Sequence, residues 1–221
     1  MKNADLHIET FVDRTFGENA LVLSTSGGDG PPIAWVVDPS FPPQPDAVVS
    51  YLRRHDIRLE RIIITHGHGD HIAGIDRIAE AHPEAVLHVA EEDRHMLTDA
   101  EANLSAPFGV SLVVRTPVGD TLEPGRTLTL GRTNWRVLDT SGHSPGGRSL
   151  YCPEAGVVVV GDALFAGSIG RTDFPGSDHH RLIDNIRRNL LTLPPETVVY
   201  SGHGPTTTIG NERKFNPFLS E

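Results

Sequence analysis

The sequence contains little that would form a disulfide, cross a membrane or bind a polyanion. Cys152 is the only cysteine among 221 residues, so no disulfide can form within the chain. No apolar run approaches the roughly 18 residues that a membrane-spanning helix requires, and the opening MKNADLHIET has no apolar segment typical of a signal peptide. Lysine and arginine number 19 against 29 acidic residues, and the resulting net charge of −10 disfavours binding to nucleic acid or anionic membrane. We therefore expect a cytoplasmic protein with neither nucleic-acid nor membrane partners.

The sequence does contain many short apolar segments separated by glycine and proline. Hydrophobic residues make up 38% and charged residues 22%, which is typical of a globular protein. Strands are predicted at ALVLST and PIAWVVDPS, which flank residues 27–30 as a hairpin, and at AVLHVA, TLTLG, WRVLDT, SLYC, VVVVGD and TVVYSG. Helices are predicted at PDAVVSYLRRHDI, HIAGIDRIAEAHP and SDHHRLIDNIRRNLLTLP. Because neither a repeat nor a linker interrupts this pattern, we expect one α+β domain over residues 1–221, with sheet packed on sheet and helices outside.

The stretch THGHGDH, residues 65–71, is the densest cluster of polar side chains in the sequence. It directly follows the apolar run at 62–64, and three other predicted strands also end close to a histidine or aspartate, in WRVLDTSGH, VVVVGD and VVYSGH. Since the ends of strands in one sheet system can converge, we predict that these side chains form one metal site. The candidate ligands are His66, His68, Asp70, His71, His143, Asp162 and His203.

This combination of side chains is chemically suited to a pair of divalent ions. Neutral imidazoles bind transition metals such as zinc, and a carboxylate between two cations can bridge them. Within the loop, His66 and His68 can share one ion, while Asp70 and His71 can face a second. Two such ions lower the pKa of a shared water toward neutrality, so hydrolysis is the favoured chemistry. We predict zinc, with iron or manganese as alternatives, and we predict catalytic roles for Asp70 and Asp162.

A second nucleophile motif competes with this interpretation. Residues 142–146, GHSPG, match GxSxG formally and follow a predicted strand. A nucleophile elbow must continue directly into a helix, and Pro145 with the two glycines after it makes that continuation poor. A serine hydrolase is therefore disfavoured. A cluster this dense without a metal is disfavoured as well, because buried imidazoles would lack partners and would repel one another when protonated.

The motifs resemble those of the metallo-β-lactamase superfamily, and within it the short glyoxalase II-like hydrolases of bacteria. The resemblance rests on THGHGDH, SGHSPGG, GDALF, GSIGRTDFPGSD, SGHGP and TTTIGNERKFNPFL, and covers most of the chain from about Ala20 onward. It implies an αββα sandwich of two mixed β-sheets covered by helices, with the metals at one edge between the sheets. By position, it assigns a first metal to His66, His68 and His143, a second to Asp70, His71 and His203, and a bridge to Asp162.

Comparison within the superfamily favours a thioesterase. His71 directly after Asp70 is unlike the main β-lactamase pattern, and His68 is unlike the redox di-iron members, which have a glutamate there. A thiolate leaves readily because its conjugate thiol has a pKa of about 8.5, so thioester hydrolysis needs no additional acid. The resemblance implies hydrolysis of a small-molecule thioester of the S-acyl-glutathione type. Candidate substrate-binding residues are Arg171, His179, Arg213 and Lys214, and for the arginines and the lysine a structural salt bridge is the alternative.

Two other functions stay open at this point. The persulfide dioxygenase family is similar in its GRTDF segment and in a tail like TTIGNE, and it implies a single iron at His66, His143 and Asp162. A metal-binding protein without turnover is the non-enzymatic alternative.

Overall fold

The computed structural model describes residues 5–26 and 30–219. Within these residues the chain forms two six-stranded sheets and a small hairpin. The strands of the first sheet lie in chain order: β1 (Leu6–Val12), β2 (Asn19–Thr25), β3 (Ile33–Val37), β4 (Arg58–Ile63), β5 (Val86–Val89) and β6 (Val118–Thr121). The remaining strands are β7 (Thr127–Leu130), β8 (Thr133–Asp139), β9 (Arg148–Cys152), β10 (Val157–Gly161), β11 (Leu164–Phe165), β12 (Ser168–Ile169), β13 (Val198–Ser201) and β14 (Thr207–Thr208). The second sheet has the order β14-β13-β10-β9-β8-β7, and β11 pairs with β12.

Helices cover the outer face of each sheet. They are α1 (Gln44–Arg54), α2 (Gly69–Ile72), α3 (Ile75–Ala81), α4 (His179–Asn185), which continues as a π-helical turn over Ile186–Leu190, and α5 (Ile209–Phe215). Short 3₁₀ turns span Glu91–Leu97 and Ala106–Phe108. The longest regular α-helix among the described residues, α1, has 11 residues, and no helix there is long and apolar enough to cross a membrane.

The apolar side chains form three layers of core. Between the sheets, Leu23, Trp35 and Trp135 are fully buried, and the two indole rings lie 6.0 Å apart. A second cluster packs the first sheet against α1 and α3, and a third packs the second sheet against α4 and α5. Strand β2 is buried along its whole length because its alternate side chains face the other sheet and the helices. The chain therefore has the αββα sandwich, an α+β fold with two mixed sheets.

The predicted strands and helices are present, with one difference in the helices. Strands β2 and β3 pair antiparallel as predicted, with Leu23 opposite Trp35, whereas residues 27–29 of their turn lie outside the described residues. The predicted helix HIAGIDRIAEAHP is divided into α2 and α3. Gly74 lies at the division, where a Cβ atom would collide with the carbonyl of Pro39 and the ring of Pro45. Close packing of this turn against the end of β3 breaks the helix.

Candidate metal centre

The first sheet contributes the loop that follows β4. Asp38, at the end of the neighbouring strand β3, accepts hydrogen bonds from the backbone N–H of Thr65 at 2.8 Å and from its hydroxyl at 2.6 Å. These bonds fix the start of the loop, in which His66 lies in a bend and His68 has an extended backbone. The chain then turns into α2, which carries Asp70 and His71 on its first turn.

The second sheet contributes the remaining candidates from three strand ends. His143 lies in the loop after β8, Asp162 directly follows β10, and His203 lies two residues after β13. Gly161, with a φ of +51°, allows the end of β10 to approach the first sheet, because a Cβ there would collide with the hydroxyl of Thr65. All seven predicted ligands therefore meet at one edge between the two sheets.

The ligand atoms form two groups around Asp162. His66, His68 and His143 offer atoms within 4.8 Å of one another, and so do Asp70, His71 and His203. The Oδ2 atom of Asp162 lies 3.6 Å from Nε2 of His143 and 3.5 Å from Nε2 of His203. Its Oδ1 atom lies 3.5 Å from Nε2 of His71. The carboxylate thus lies between the two groups, where a bridging ligand would have to be.

The unpaired atoms at this site fit a metal centre. The Nε2 atoms of His66, His71 and His143 and the Oδ1 atom of Asp162 are buried without a hydrogen-bond partner. Buried polar atoms are almost always paired, and leaving one unpaired costs roughly 1 to 3 kcal/mol. Four such atoms aimed into one small volume indicate that divalent cations complete the site.

Hydrogen bonds behind the histidines leave the Nε2 atoms free for a metal. The Nδ1 atom of His71 lies 2.9 Å from Oδ2 of Asp38. The Nδ1 atom of His143 lies 2.7 Å from the carbonyl oxygen of Arg171, and that of His203 lies 3.1 Å from the carbonyl oxygen of Phe16. Each acceptor favours a proton on Nδ1 and an unprotonated Nε2. Asp38 also lies near His66 and His71 in a third possible ligand group. We assign it as the partner of His71 because its oxygen is at hydrogen-bond distance from Nδ1.

Electrostatics keep most of these ligands in the protonation state that a metal requires. Burial, followed by the neighbouring imidazoles, lowers the pKa of His66 well below its usual value and that of His68 to about 3. Burial alone would raise the pKa of Asp162, but His71 and the other imidazoles hold it far below the usual range. His71 differs, because the carboxylates of Asp162, Asp70 and Asp38 outweigh burial and raise its pKa. Burial lowers the pKa of His203, but Asp70 and Asp162 outweigh it and raise that pKa as well. Protons thus compete with a metal more strongly at His71 and His203 than at His66 and His68.

The sequence did not predict three carboxylates that support the site. Besides Asp38, the buried Asp93 accepts hydrogen bonds from the N–H of Gly67 at 2.9 Å and from that of Gly146 at 2.6 Å, and it thereby joins the two ligand loops. It also accepts from the hydroxyl of Ser144 at 2.7 Å, so this buried serine serves packing and not nucleophilic attack. Glu18 is fully buried 3.7 Å from Nδ1 of His71, and burial raises its pKa well above the usual value.

The site opens into a cleft of about 730 Å³. Side chains from both metal-ligand groups lie at its surface. Five phenylalanines supply much of the remaining lining: Phe16, Phe41, Phe108, Phe165 and Phe174.

Of the four residues predicted to bind substrate, Arg171 lines this cleft. Its guanidinium donates to both carboxylate oxygens of Asp173, at 2.9 and 2.7 Å. His179 is exposed at the start of α4 and lies outside the cleft lining. Arg213, which donates to the carbonyl oxygens of residues 191 and 193, and Lys214 are on α5 and also lie outside the lining. Substrate binding by these residues stays a prediction.

Comparison with known proteins is consistent with the fold and with the cluster. The sequence profile described as the metallo-beta-lactamase superfamily matches residues 17–203. The chain belongs to this superfamily. It is similar to the probable metallo-hydrolase YqgX of Bacillus subtilis, with 36% identity over 170 residues, which are 77% of this chain and 80% of that protein. It is also similar to the hydroxyacylglutathione hydrolase GloC of Haemophilus influenzae, with 32% identity over 188 residues, 85% of this chain and 87% of GloC.

Solved structures show the same architecture. The BLEG-1 B3 metallo-β-lactamase has a TM-score of 0.90 and 34% identity, over 97% of this chain and 100% of that one. TTHA1623, crystallised in a di-iron-bound form, has a TM-score of 0.81 and 33% identity, over 96% and 100%. ETHE1 from Myxococcus xanthus has a TM-score of 0.75 and 25% identity, over 96% and 83%. The chain is thus a metal-dependent hydrolase of the metallo-β-lactamase superfamily with a histidine cluster for divalent metal.

Proposed function

We propose that the protein is a dinuclear thioester hydrolase of the glyoxalase II type, acting on S-acyl-glutathione-like thioesters. The observation that carries the proposal is the position of Asp162 between two complete groups of ligands. In this proposal His66, His68 and His143 hold the first ion, and Asp70, His71 and His203 hold the second. Zinc is the proposed metal. The similarity to GloC supports the thioester substrate, and the di-iron form of TTHA1623 keeps iron as the alternative.

The chain's own residues define how the reaction proceeds. When bound, the ions lower the pKa of water and polarise a carbonyl oxygen. Asp70 lines the cleft with Oδ2 3.3 Å from Nε2 of His203, so its carboxylate can orient a water that enters from the cleft. Burial alone would raise the pKa of Asp70, but the imidazoles of His71 and His203 hold it below the usual value, which favours the ionised carboxylate.

The residues that line the cleft favour a substrate with a good leaving group. Among the described residues that line it, the carboxylates are Asp70 and Asp162, both assigned to metal, and the lining includes no lysine, tyrosine or cysteine. A thiolate departs without protonation at neutral pH more readily than an amide nitrogen does. A thioester is therefore a better match to this site than a substrate whose leaving group needs an acid.

One comparison favours a second candidate. His71 made a β-lactamase less favourable from sequence, but the match to BLEG-1 over its whole length supports β-lactam hydrolysis as an alternative activity.

The single-iron dioxygenase would use only His66, His143 and Asp162. It gives no role to the group of Asp70, His71 and His203, which is assembled as closely as the first.

Metal content and turnover on the same preparation test the proposal. We expect close to two metal ions per chain by elemental mass spectrometry on untagged protein purified without chelator. We also expect hydrolysis of S-lactoylglutathione that a chelator abolishes and that added metal restores. Close to one iron per chain, with oxygen uptake on glutathione persulfide, would establish the dioxygenase instead. Faster turnover of a chromogenic cephalosporin would favour the β-lactamase, and bound metal without any turnover would leave a binding protein.

A further inference from the structure

The phenylalanines of the chain are concentrated at the cleft. Five of the 8 phenylalanines line it. Phe16 contacts Phe41 and Phe108, with ring centroids 5.3 and 5.4 Å apart, and we call these three residues the aromatic wall. Phe108, at the mouth, is 67% exposed. Phe16 and Phe41 are half-buried, so the wall joins one exposed ring to two that lie deeper in the cleft. Clustered apolar side chains that line a groove are characteristic of a surface that binds an apolar ligand.

The aromatic wall is tied directly to the metal ligands. The carbonyl oxygen of Phe16 accepts the hydrogen bond from Nδ1 of His203. Asp13 fixes the turn before it by accepting from the N–H of Thr15 at 2.9 Å and from that of Phe16 at 2.6 Å. The backbone of Phe16 is therefore fixed beside His203 of the second ligand group.

Aromatic rings also flank the metal site elsewhere in the cleft. The ring of Phe174 lies 5.5 Å from that of His68 and 6.1 Å from that of His143. Phe165 lies 6.2 Å from His203. A substrate held at the metal site would thus have aromatic surface close to the scissile bond.

The cleft offers little to a charged acyl group. Apart from histidines, the charged residues among its described lining are Asp70, Asp162 and Arg171. The two carboxylates are assigned to metal. The guanidinium of Arg171 is paired with Asp173 through two hydrogen bonds, and its Cζ lies 4.5 Å from the ring of Phe174. An anionic acyl group would have to displace Asp173, whereas an apolar group gains directly by covering the wall.

We infer that the site selects thioesters whose acyl group is an uncharged hydrocarbon chain or aromatic group, larger than lactoyl, that packs on the aromatic wall. The inference rests on the proposed thioester hydrolysis and specifies its acyl side. A cleft of about 730 Å³ is within the range of pockets that enclose a complete small molecule. A lactoyl group is small and carries a hydroxyl, so it would leave most of the wall in contact with water.

The test uses one carrier and a series of acyl groups on metal-loaded enzyme. We would measure kcat/KM for the S-lactoyl, S-acetyl, S-butyryl and S-hexanoyl thioesters of glutathione. Burial of each added methylene should raise kcat/KM about two- to fourfold, so hexanoyl should be the preferred substrate. Phe108→Ser should reduce the preference for hexanoyl over acetyl several-fold. Phe215→Ser is the matched control, since Phe215 is 64% exposed and lies outside the cleft lining, and it should leave the preference unchanged.

The possible results distinguish a failure of the acyl-group inference from a failure of the proposed thioester hydrolysis. Thioester hydrolysis with lactoyl as the best substrate, or with no dependence on chain length, would overturn the inference and leave the proposed function intact. Equal effects of Phe108→Ser and Phe215→Ser would remove the aromatic wall from substrate selection. Failure to hydrolyse any of the four thioesters, with two metals bound, would overturn the proposed function itself.

Discussion

Replacing Asp38 with asparagine should weaken metal binding although the residue is not assigned as a ligand. Its carboxylate accepts from the N–H and the hydroxyl of Thr65 and from Nδ1 of His71. In Asp38→Asn, an amide nitrogen must replace one of the two accepting oxygens. If it faces His71, it can donate only to an unprotonated Nδ1, which moves the imidazole proton to Nε2 and blocks the metal-binding atom. If the amide is flipped, its nitrogen opposes the N–H of Thr65, and two donors meet.

The size of the effect follows from the place of Asp38 behind a ligand. Loss of such a partner lowers metal affinity by about 10- to 100-fold, which corresponds to about 1.4 to 2.7 kcal/mol. We expect the loss at the second group of ligands, because His71 belongs there and His66 keeps its own contact with the hydroxyl of Thr65 at 3.2 Å. Metal content should therefore fall from about two ions to about one per chain under competition with a chelator.

Chelator competition followed by elemental analysis measures this loss, and a matched variant controls for it. Asp76 accepts hydrogen bonds from the N–H and the hydroxyl of Thr116, as Asp38 does from Thr65, but it lies on α3 away from the cleft. Asp76→Asn should leave metal affinity unchanged while altering stability to a comparable extent. If Asp38→Asn bound two metals with wild-type affinity, the assignment of the His71 tautomer would be wrong.

Other substitutions test the rest of the site and one buried group outside it. Asp162→Ala should lower metal affinity more than about 100-fold and reduce kcat/KM with it, because it removes the bridge. If Asp162→Ala kept full activity and its full metal content, the site assignment would be refuted. His179→Ala is the control and should leave metal content unchanged. Asp93→Ala should lower the free energy of unfolding in urea by about 3 kcal/mol or more, since buried donors of both ligand loops lose their acceptor; an unchanged midpoint would contradict this. Burial and the guanidinium of Arg61 lower the pKa of His88 from 6.5 to about 4. Between pH 6.5 and 4 the unfolded chain binds a proton at His88 that the folded protein does not bind. The free energy of unfolding should therefore fall as the pH falls from 6.5 toward 4, by up to about 3 kcal/mol. His88→Gln should remove that part of the slope, and equal slopes would show that His88 titrates normally.

The strands predicted from sequence have either a continuous apolar run, such as VVVVGD, which became β10, or a clear alternation of apolar and polar residues, such as TLTLG, which became β7. Strand β1, with the sequence LHIETFV, was not predicted, because it lies at a sheet edge where its side chains are only partly buried. Strand β6, with the sequence VGDT, is short and polar and depends on parallel pairing with β5. Local sequence carries little information about strands that are stabilised mainly by a neighbouring strand.

The candidate ligands were predictable for a different reason. THGHGDH concentrates four of them in one loop, and the other three follow apolar strands, so their convergence required only that strand ends meet at one edge. The supporting carboxylates are isolated in the sequence. Asp93 lies in a 3₁₀ turn whose sequence, EEDRHML, resembles any acidic surface turn. Its role depends on backbone donors at Gly67 and Gly146, which only the folded structure brings near.

The position of Asp38 shows what a strand-end carboxylate does not reveal from sequence. It follows the apolar strand β3 just as Asp162 follows β10, so the same argument would have placed it at the site edge. What the sequence cannot specify is the layer in which each carboxylate lies. Asp38 belongs to the first sheet and is directed behind His71, whereas Asp162 comes from the opposite sheet and faces the Nε2 atoms. Two similar strand ends thus take different positions, Asp162 between the two groups of candidate ligands, where we propose a bridge, and Asp38 behind His71, because the two sheets approach the candidate metal centre from opposite sides.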